Sequence, residues 1–589
     1  MDEKPTPVNY SLHLEPDLIN FTFSATIDVL LDAPDPVKEI SLNVLELAVW
    51  NCRVLENSRS IDCSFTLDPQ KETLCIRLPG ARRGRIAVRI SYQGHINDKM
   101  AGFYRSGYTR RGQKKPIAVT QFQESDARRA FPCLDRPGQK ATFDIVMDVP
   151  PHFAVVCNTP VQSESLLANG KKRHVFARTP RMSTYLVFWG VGPFQLIQDR
   201  ADPRVRVAAL PGRKKYAGFA LGFARKALAF SETYYGLSYP LPKLDLLAVP
   251  DFAFGAMENW GAITFRENLL LYYPGVTSNS GRQRIAEVIA HEIAHQWFGN
   301  LVTPSDWKYL WLNESFATFF GYGVVDHFYP RWSVWDQFLH GMTAPALSRD
   351  ALHETTPIEI PGGEHVVINT STAPIIYNKG GSILRQIQGY IGQDNLRQGL
   401  RDYLQKHAYG SAASHHLWDC LEAVSEQPVR AMMKSWIEQA GYPVVEVRRS
   451  GRALCLKQQR FTYLPNHSDQ KWLIPVTLRL FFEKKAPQLV TVLMDDREKE
   501  IPIPADVLAY KINHQQTGFY RVRYADAGAL ENLGRCILRG ALSPEDRWGL
   551  QNDLFAQLEA GQASLETYLG FLDHYCHETA YLPLTGIVG

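Results

Sequence analysis

The sequence predicts a multidomain α+β protein, and three observations support this fold class. The chain has 589 residues, far more than one hydrophobic core usually organises. Its residues are 45% apolar and 21% charged, a balance typical of globular proteins. The spacing of apolar residues changes along the chain from strand-like to helix-like, then to strand-like again, and finally to helix-like.

The first part of the chain, residues 1–198, is predicted to form an N-terminal β domain. In FTFSATIDVLL (residues 21–31) apolar residues alternate with other residues, and RIAVRISY (residues 85–92) repeats the pattern. A period of two places one side of a strand against a core and the other side in solvent.

Residues 199–442 are predicted to form a second, helix-rich domain. The strand-like segment LDLLAV (residues 244–249) leads into GAMENWGAITFRENLLL. We expect the strand that follows Glu258, within GAITFRE, to lie along a cleft and to pair with an extended ligand. Four helical patterns follow, at residues 282–298, 311–328, 381–406 and 415–440.

The end of the chain is predicted to contain two further domains. Residues 443–526 return to short alternating strands, of which GFYRVRY (residues 518–524) is the last, and a small β-sandwich is expected there. Residues 527–589 are helical again and are expected to be the beginning of a helical C-terminal domain.

Charge and composition exclude several classes of function. The formal net charge is only +4 and basic residues are scattered, so no nucleic-acid partner is expected. The start of the chain lacks a secretory pattern, and no run of eighteen apolar residues predicts a membrane span. Nine cysteines without Cys-x-x-Cys spacing favour reduced, mostly buried thiols in a cytoplasmic protein. The sequence does not indicate an oligomeric state.

The stretch HEIAHQWFGN (residues 291–300) carries the strongest chemical signal. On a helix, His291 and His295 project from the same face, one turn apart. Two imidazoles so placed can bind one tetrahedral zinc ion, and Glu292 between them is then the expected general base. The alternative is an ordinary buried helix that contains two histidines.

Glu314 is the candidate for the third zinc ligand. It lies nineteen residues after His295, in WLNESFATFF on the next helical pattern. Two histidines and one glutamate would leave the zinc complex near +1, which suits activation of water. Considered by itself, Glu314 would be a solvated helix glutamate.

Several separate motifs resemble those of the zinc aminopeptidases of the aminopeptidase N family, relatives of thermolysin. HEIAHQWFGNLVT with WLNESFAT is similar to the family's three-ligand zinc signature, and GAMENWGAI (residues 255–263) resembles its exopeptidase motif. YNKGG (residues 377–381) resembles the family's active-site tyrosine motif. Segments of residues 100–137 and 441–524 resemble its N-terminal and small β domains. The resemblance runs through almost the whole chain and implies that residues 199–442 form a thermolysin-like zinc catalytic domain.

The resemblance also implies how substrate would be bound. A carboxylate near the metal, that of Glu258, would anchor the free α-ammonium group of a peptide through a charge-assisted bond. Gln121 and Gln123 match positions that the family uses around this amine and the first side chain. Many relatives carry glutamate where this chain has Gln123, which favours neutral first residues. The expected substrate-binding residues are Gln121, Gln123, Gly255, Ala256, Met257, Glu258 and Asn259.

Tyr377 is the residue that the resemblance makes the donor to the oxyanion of a tetrahedral intermediate. Its alternative role is that of a packed aromatic. The alternative for Glu258 is a turn glutamate in water, and for Gln121 and Gln123 it is the polar surface of a β domain.

One departure from the family concerns the C-terminal region. Full-length relatives carry a long helical domain there, and this chain resembles only its beginning. We expect a fragment of a longer chain rather than a naturally short form.

The resulting hypothesis is a zinc-dependent metallo-aminopeptidase that holds one zinc ion. It would remove neutral or apolar first residues from peptides with a free N-terminus. Two other hypotheses remain: a related zinc endopeptidase, which Glu258 argues against, and a catalytically silent interaction protein on the same fold. The sequence gives neither the physiological substrate nor the ranking of first residues.

Overall fold

The computed structural model describes residues 5–56, 59–362 and 366–588. The chain forms two compact units. The first contains Met1–Trp307 and Leu404–Ala412, and the second contains Lys308–Tyr403 and Ala413–Gly589. The boundary after Trp307 lies inside the predicted domain 199–442, and the predicted division into four domains stays a prediction.

The first unit contains twenty strands and two helices among the described residues. The helices are α1 (Gly218–Tyr235) and α2 (Asn279–Ala294). The strands are β1 (Thr6–Asp17), β2 (Thr22–Asn43), β3 (Leu47–Glu56), β4 (Arg59–Asp62), β5 (Ser64–Asp68), β6 (Thr73–His95), β7 (Gly102–Arg110), β8 (Gln113–Gln121), β9 (Thr142–Val149), β10 (Ala154–Cys157), β11 (Val161–Leu166), β12 (Lys172–Phe176), β13 (Trp189–Gly192), β14 (Gln195–Gln198), β15 (Val205–Ala209), β16 (Leu244–Val249), β17 (Ala256–Met257), β18 (Ala262–Arg266), β19 (Thr303–Pro304) and β20 (Ser411–Ala412).

The N-terminal β domain is built from two sheets. A large sheet has the order β11-β12-β9-β1-β2-β6-β3-β4, with β5 also paired to β6, and a smaller one has the order β10-β13-β8-β7. The predicted alternation is confirmed, because Ile27 and Val29 of β2 and Val88 and Ile90 of β6 are fully buried. Strand β8 ends at Gln121, one of the predicted substrate-binding residues.

A third sheet positions the helix that carries the two histidines. Its order is β14-β15-β16-β18-β17, so the two-residue strand β17 lies at one edge. Helix α2 packs against α1, and residues Ile285, Val288 and Ile289 of α2 are buried. The apolar face predicted for this helix is therefore confirmed.

The second unit contains helices around the segment of Tyr377, two small sheets, and a helical end. The sheets have the orders β25-β22-β21-β27 and β24-β23-β26. Helix α7 begins in the second unit and continues into the first. The helices are α3 (Trp311–Phe328), α4 (Val334–Phe338), α5 (Ala344–Asp350), α6 (Gly380–Ile391), α7 (Gln393–His407), α8 (Ser414–Ser425), α9 (Val429–Ile437), α10 (Ala527–Leu538), α11 (Pro544–Glu559), α12 (Leu565–Leu572) and α13 (Tyr581–Val588). The strands are β21 (Pro443–Ser450), β22 (Ala453–Arg460), β23 (Ile474–Phe482), β24 (Gln488–Met494), β25 (Glu498–Pro502), β26 (Val507–Ile512) and β27 (Arg521–Tyr524).

Two long predicted helices are each broken into two. The pattern at 381–406 is divided between α6 and α7 by Gly392, whose φ of +85° lies in the left-handed region that glycine tolerates. The pattern at 415–440 is divided between α8 and α9, where Glu426 has a φ of +55° and Pro428 precedes α9.

Two expectations from composition concern the cysteines and membrane spans. Five of the nine cysteines are buried and three are half-buried, which confirms the prediction of mostly buried thiols. In the part of the chain that the structure describes, no helix has the length and apolar character needed to cross a membrane.

Candidate metal centre and substrate-binding loop

The end of helix α2 places the two histidines one turn apart. Ser278 caps the start of this helix, because its hydroxyl accepts a hydrogen bond of 3.0 Å from the N–H of Gly281. The last helical residue is Ala294, four residues before the predicted end, yet His295 keeps helical dihedral angles. Its N–H donates to the carbonyl of His291 at 3.2 Å, so the predicted i, i+4 relation holds.

The two imidazoles converge through their Nε2 atoms, which lie 3.1 Å apart. The Nδ1 atom of His295 lies 3.0 Å from the carbonyl oxygen of Phe298. This carbonyl accepts a hydrogen bond from Nδ1–H, which leaves the lone pair on Nε2, the tautomer needed by a metal ligand. The pair therefore fits two positions of a tetrahedral zinc site.

Two carboxylates lie beside His295. The ligand atoms of Glu258, Glu292 and His295 are all within 4.8 Å of one another. The three residues are 2%, 5% and 1% exposed, respectively. The alternative of a solvated turn glutamate is therefore wrong for Glu258. Buried carboxylates normally occur only with a compensating partner, so this cluster is suited to binding or moving positive charge.

The loop that carries Glu258 is fastened to the chain just after α2. The carbonyl oxygen of Glu258 accepts hydrogen bonds from the side-chain amides of Gln296, at 3.3 Å, and Asn300, at 2.8 Å. The Asn259 amide donates to the hydroxyl of Thr264 at 3.2 Å. The supporting role of Gln296 and Asn300 was not predicted, although both lie in the stretch HEIAHQWFGN. Both side chains are fully buried, which is unusual for amides in proteins.

The expectation for the strand after Glu258 is wrong. That strand, β18, is paired with β16 on one side and with β17 on the other. Among the described strands of this sheet, the edge strand next to β18 is β17, which consists of Ala256 and Met257. An extended ligand that adds to the sheet would therefore pair with the GAMEN segment itself.

Gln121 reaches the same loop from the N-terminal β domain. Its Nε2 atom lies 3.4 Å from the sulfur of Met257, and the side chain is buried. The alternative of an exposed polar surface is therefore wrong for Gln121. Gln123 and Gly255 are half-buried.

Glu314 lies in the first turn of helix α3, in the second unit. This residue is 2% exposed, and α3 is buried on almost every side. The alternative of a solvated helix glutamate is therefore wrong. A carboxylate at the N-terminal end of a helix is also favoured by the helix dipole.

Tyr377 lies in a π-helical turn, Pro374–Lys379, that continues directly into α6. Such turns are rare and often occur at functional sites. The tyrosine is half-buried, whereas Ile375 and Ile376 just before it are buried. Its side chain is thus only partly enclosed, which argues against a purely packed aromatic.

The other residues of YNKGG hold the turn in place. The hydroxyl of Ser315, next to Glu314 on α3, donates to the carbonyl of Ile376 at 2.6 Å. A Cβ atom at Gly380 would collide with this serine, so only glycine allows the approach. Lys379 forms an ion pair of 2.9 Å with Asp350, and both side chains are fully buried. These supporting roles were not predicted from the motif.

Comparison with known protein families gives three matches along the chain. The Peptidase M1 N-terminal domain matches residues 6–186, and the Peptidase family M1 domain matches residues 219–436. An ERAP1-like C-terminal domain matches residues 509–589. The first two matches cover the segments that carry every predicted site residue.

Individual relatives are similar over 84–100% of this chain. Aminopeptidase M1 of Arabidopsis thaliana is 38% identical over 605 aligned residues, which cover 99% of this chain and 68% of the relative. Aminopeptidase 2, mitochondrial, of Saccharomyces cerevisiae is 35% identical over 599 aligned residues, which cover 100% of this chain and 62% of the relative. Leucyl aminopeptidase of Saccharolobus solfataricus is 37% identical over 499 aligned residues, which cover 84% of this chain and 61% of the relative. This chain therefore spans about two thirds of the length of these relatives, and it belongs to the Peptidase M1 family.

Proposed function

We propose that this chain is a zinc-dependent metallo-aminopeptidase, which removes neutral or apolar first residues from peptides with a free N-terminus. The observation that carries the proposal is the buried cluster at the end of α2. There, two imidazole Nε2 atoms converge at 3.1 Å, and two carboxylates lie beside His295. The relatives named above are aminopeptidases, which supports the same activity.

The donor set fits a single zinc ion. His291 and His295 supply two nitrogen ligands, and Glu314 is assigned the third position on the basis of the sequence motif. This set matches catalytic zinc sites with three protein ligands and one open position. When bound, zinc would act as a Lewis acid that polarises the scissile carbonyl group.

Glu292 is assigned the role of general base. A glutamate directly after the first histidine is placed beside the metal ligands without being one of them. Its carboxylate takes a proton from the attacking water and passes it to the leaving amine. Its burial, with 5% of the residue exposed, keeps this carboxylate away from bulk solvent.

Glu258 is assigned to the α-ammonium group of the substrate. The hydrogen bonds from Gln296 and Asn300 fix the backbone of this residue, so the position from which its carboxylate projects is set before substrate binds. Gln121 lies beside the loop through its contact with Met257. Gln121 and Gln123 add no charge to the amine site, which favours neutral first residues.

Tyr377 is assigned to the oxyanion that develops on the scissile carbonyl. A phenol hydroxyl donates a hydrogen bond to developing negative charge without itself becoming charged. The partial exposure of this tyrosine, in a fastened turn, supports the assignment. The cytoplasmic location expected from the cysteine content stays a prediction.

The decisive experiment uses the purified chain and matched peptides whose N-terminus is free or acetylated. The first residue is varied among neutral, basic and acidic types, and bound zinc is measured alongside. We expect single residues to be released from free peptides only, fastest for neutral first residues. A chelator should abolish the release, and added zinc should restore it. Internal cleavage of acetylated peptides would favour the endopeptidase, and bound zinc without any cleavage would favour the silent protein.

A further inference from the structure

The helix that follows Tyr377 is held by a segment far away in sequence. Residues 513–519, with the sequence NHQQTGF, run along α6, and we name this segment the strap. Arg385 of α6 donates to the carbonyl oxygens of Gln515, at 2.9 Å, and of Gln516. The side-chain oxygen of Gln386 accepts a hydrogen bond of 2.9 Å from the N–H of Phe519.

The strap also packs closely against the helix. A Cβ atom at Gly389 of α6 would lie 3.3 Å from the Cβ of Thr517, so any side chain there would require the strap to shift by a few tenths of an ångström. At the other end of the strap, the ring of Phe519 lies 5.9 Å from the ammonium group of Lys379. The contacts thus extend from the end of the π-helical turn across three turns of α6.

The backbone of the strap adopts an unusual conformation. Asn513, Gln515 and Gln516 have φ values of +59°, +54° and +51°. Residues other than glycine rarely enter this left-handed region, and they remain there only where surrounding contacts impose it. Three such residues among four consecutive positions indicate that contacts with the rest of the fold, and not local backbone preference, determine the conformation of the strap.

Buried polar groups impose this conformation. The side-chain amide of Asn513 donates to the Gln516 side chain and to the carbonyl of Gly518, both at 3.0 Å. Asp546, buried at the start of α11, accepts from the N–H of Gln515 at 2.6 Å and lies 2.9 Å from the Nδ1 of His514. The strap is therefore fixed to α11 on one side and presents its carbonyl groups to α6 on the other.

Tyr377 is consequently held from two directions within this unit. Ser315 of α3 fixes the carbonyl of Ile376, and the strap fixes α6 through Arg385 and Gln386. We propose that Arg385 and Gln386 are positioning residues, which hold Tyr377 where it donates to the oxyanion. This inference rests on the proposed function, and it extends that function to residues that do not contact the substrate.

The expected effect is on kcat. A misplacement of about 1 Å can cost a hundred-fold in rate, so Arg385→Met and Gln386→Met should each lower kcat about ten- to hundred-fold. KM and zinc content should remain unchanged. Arg385→Lys, which keeps one charged donor, should recover part of the loss. Gln388→Met is the control, because no described hydrogen bond joins this side chain to the strap, and its kcat should stay within about two-fold.

A double-mutant cycle with Tyr377→Phe separates positioning from a general loss of folded enzyme. Tyr377→Phe alone should lower kcat about 10²–10³-fold. If the strap acts through Tyr377, Arg385→Met added to Tyr377→Phe should cause no further loss beyond about two-fold. Multiplication of the two losses would overturn the inference while leaving the role of Tyr377 intact. If Tyr377→Phe has no effect, both the inference and the oxyanion assignment are wrong, and the test with free and acetylated peptides still decides the aminopeptidase activity.

Discussion

The end of α2 and the turn around Tyr377 are both candidate parts of an active site, but they are built by different kinds of contact. His291, Glu292 and His295 lie within five consecutive residues, and a single helical turn determines their spacing. The turn of Tyr377 is held by Ser315 through Ile376, by Gly441 through Lys379, and by Gln516 through Arg385. These contacts join positions 61, 62 and 131 residues apart.

This difference shows what a motif can and cannot convey. In HEIAH, the relative positions of the two histidines follow from helical periodicity alone. YNKGG contains one residue with a proposed chemical role, Tyr377, and others that hold the turn in place. The sequence alone does not show which residues have which role. Four substitutions test this contrast, beginning with the one of largest expected effect.

Glu292→Gln tests the locally built region. The amide cannot accept a proton, so we expect kcat to fall about 10³-fold or more, with zinc content unchanged. The measurement is kcat for a peptide with a neutral first residue, together with metal analysis. Glu287→Gln is the matched control, since Glu287 lies on the same helix and pairs with Arg284, and it should change kcat by less than about three-fold. Full activity of Glu292→Gln would refute the assignment of the base.

Lys379→Met tests the region built by distant contacts. Removal of the ammonium group leaves Asp350 charged and buried, so the free energy of unfolding should fall by about 3–5 kcal/mol. Denaturant unfolding measures the change. Lys434→Met is the control, because Lys434 is 71% exposed and lies 3.9 Å from Glu438, and its effect should stay below about 0.5 kcal/mol. Equal effects of the two substitutions would show that the motif lysine is not structural.

Asn300→Ala tests whether the loop of Glu258 needs its support. The substitution leaves the Glu258 carbonyl with the longer hydrogen bond from Gln296 alone, which should cost about 1–2 kcal/mol. We therefore expect kcat/KM for free peptides to fall about ten-fold. Asn97→Ala is the control: it removes two hydrogen bonds to backbone carbonyls and one from the N–H of Lys99, and it should leave kcat/KM within about two-fold. A loss of the same size in both variants would contradict a specific role for Asn300.

Asp336→Asn should have the smallest effect and depends on pH. Burial and then the nearby carboxylate of Glu545 raise the pKa of Asp336 to about 6, above the value near 4 of an unfolded chain. The folded state therefore binds this proton more tightly, and stability is lost as pH rises from about 4 through 6. Asparagine avoids the loss, so Tm should rise at pH 8, by the equivalent of less than about 1 kcal/mol in this half-exposed site. At pH 4 the two proteins should unfold at the same temperature.

The control for this last substitution is Asp394→Asn, because Asp394 is 89% exposed. Its Tm should differ from that of the parent chain by the same small amount at both pH values. A gain for Asp336→Asn that is independent of pH would contradict the titration and indicate a packing effect instead.

The sequence alone determined the features that depend on short spacing. Strand alternation in β2 and β6, the apolar face of α2, and the relation of His291 to His295 were predicted because each follows from a period of 2 or 3.6 residues. Glu258 and Glu314 were identified through motifs, but their burial was not. Burial depends on which distant segments cover a residue, and a local sequence pattern does not indicate which segments these are.

Only the tertiary structure decided how these residues are supported. It placed β17 and not β18 at an edge of the third sheet, because pairing on both sides of a strand is a long-range property. It also showed that two predicted helices are divided at Gly392 and near Pro428, breaks that apolar periodicity does not mark although the glycine and the proline are present in the sequence. It also brought residues 513–519 onto α6, a contact that closes a loop of about 130 residues. Such contacts form because buried polar groups must find partners, and the identity of those partners is determined only when the chain folds.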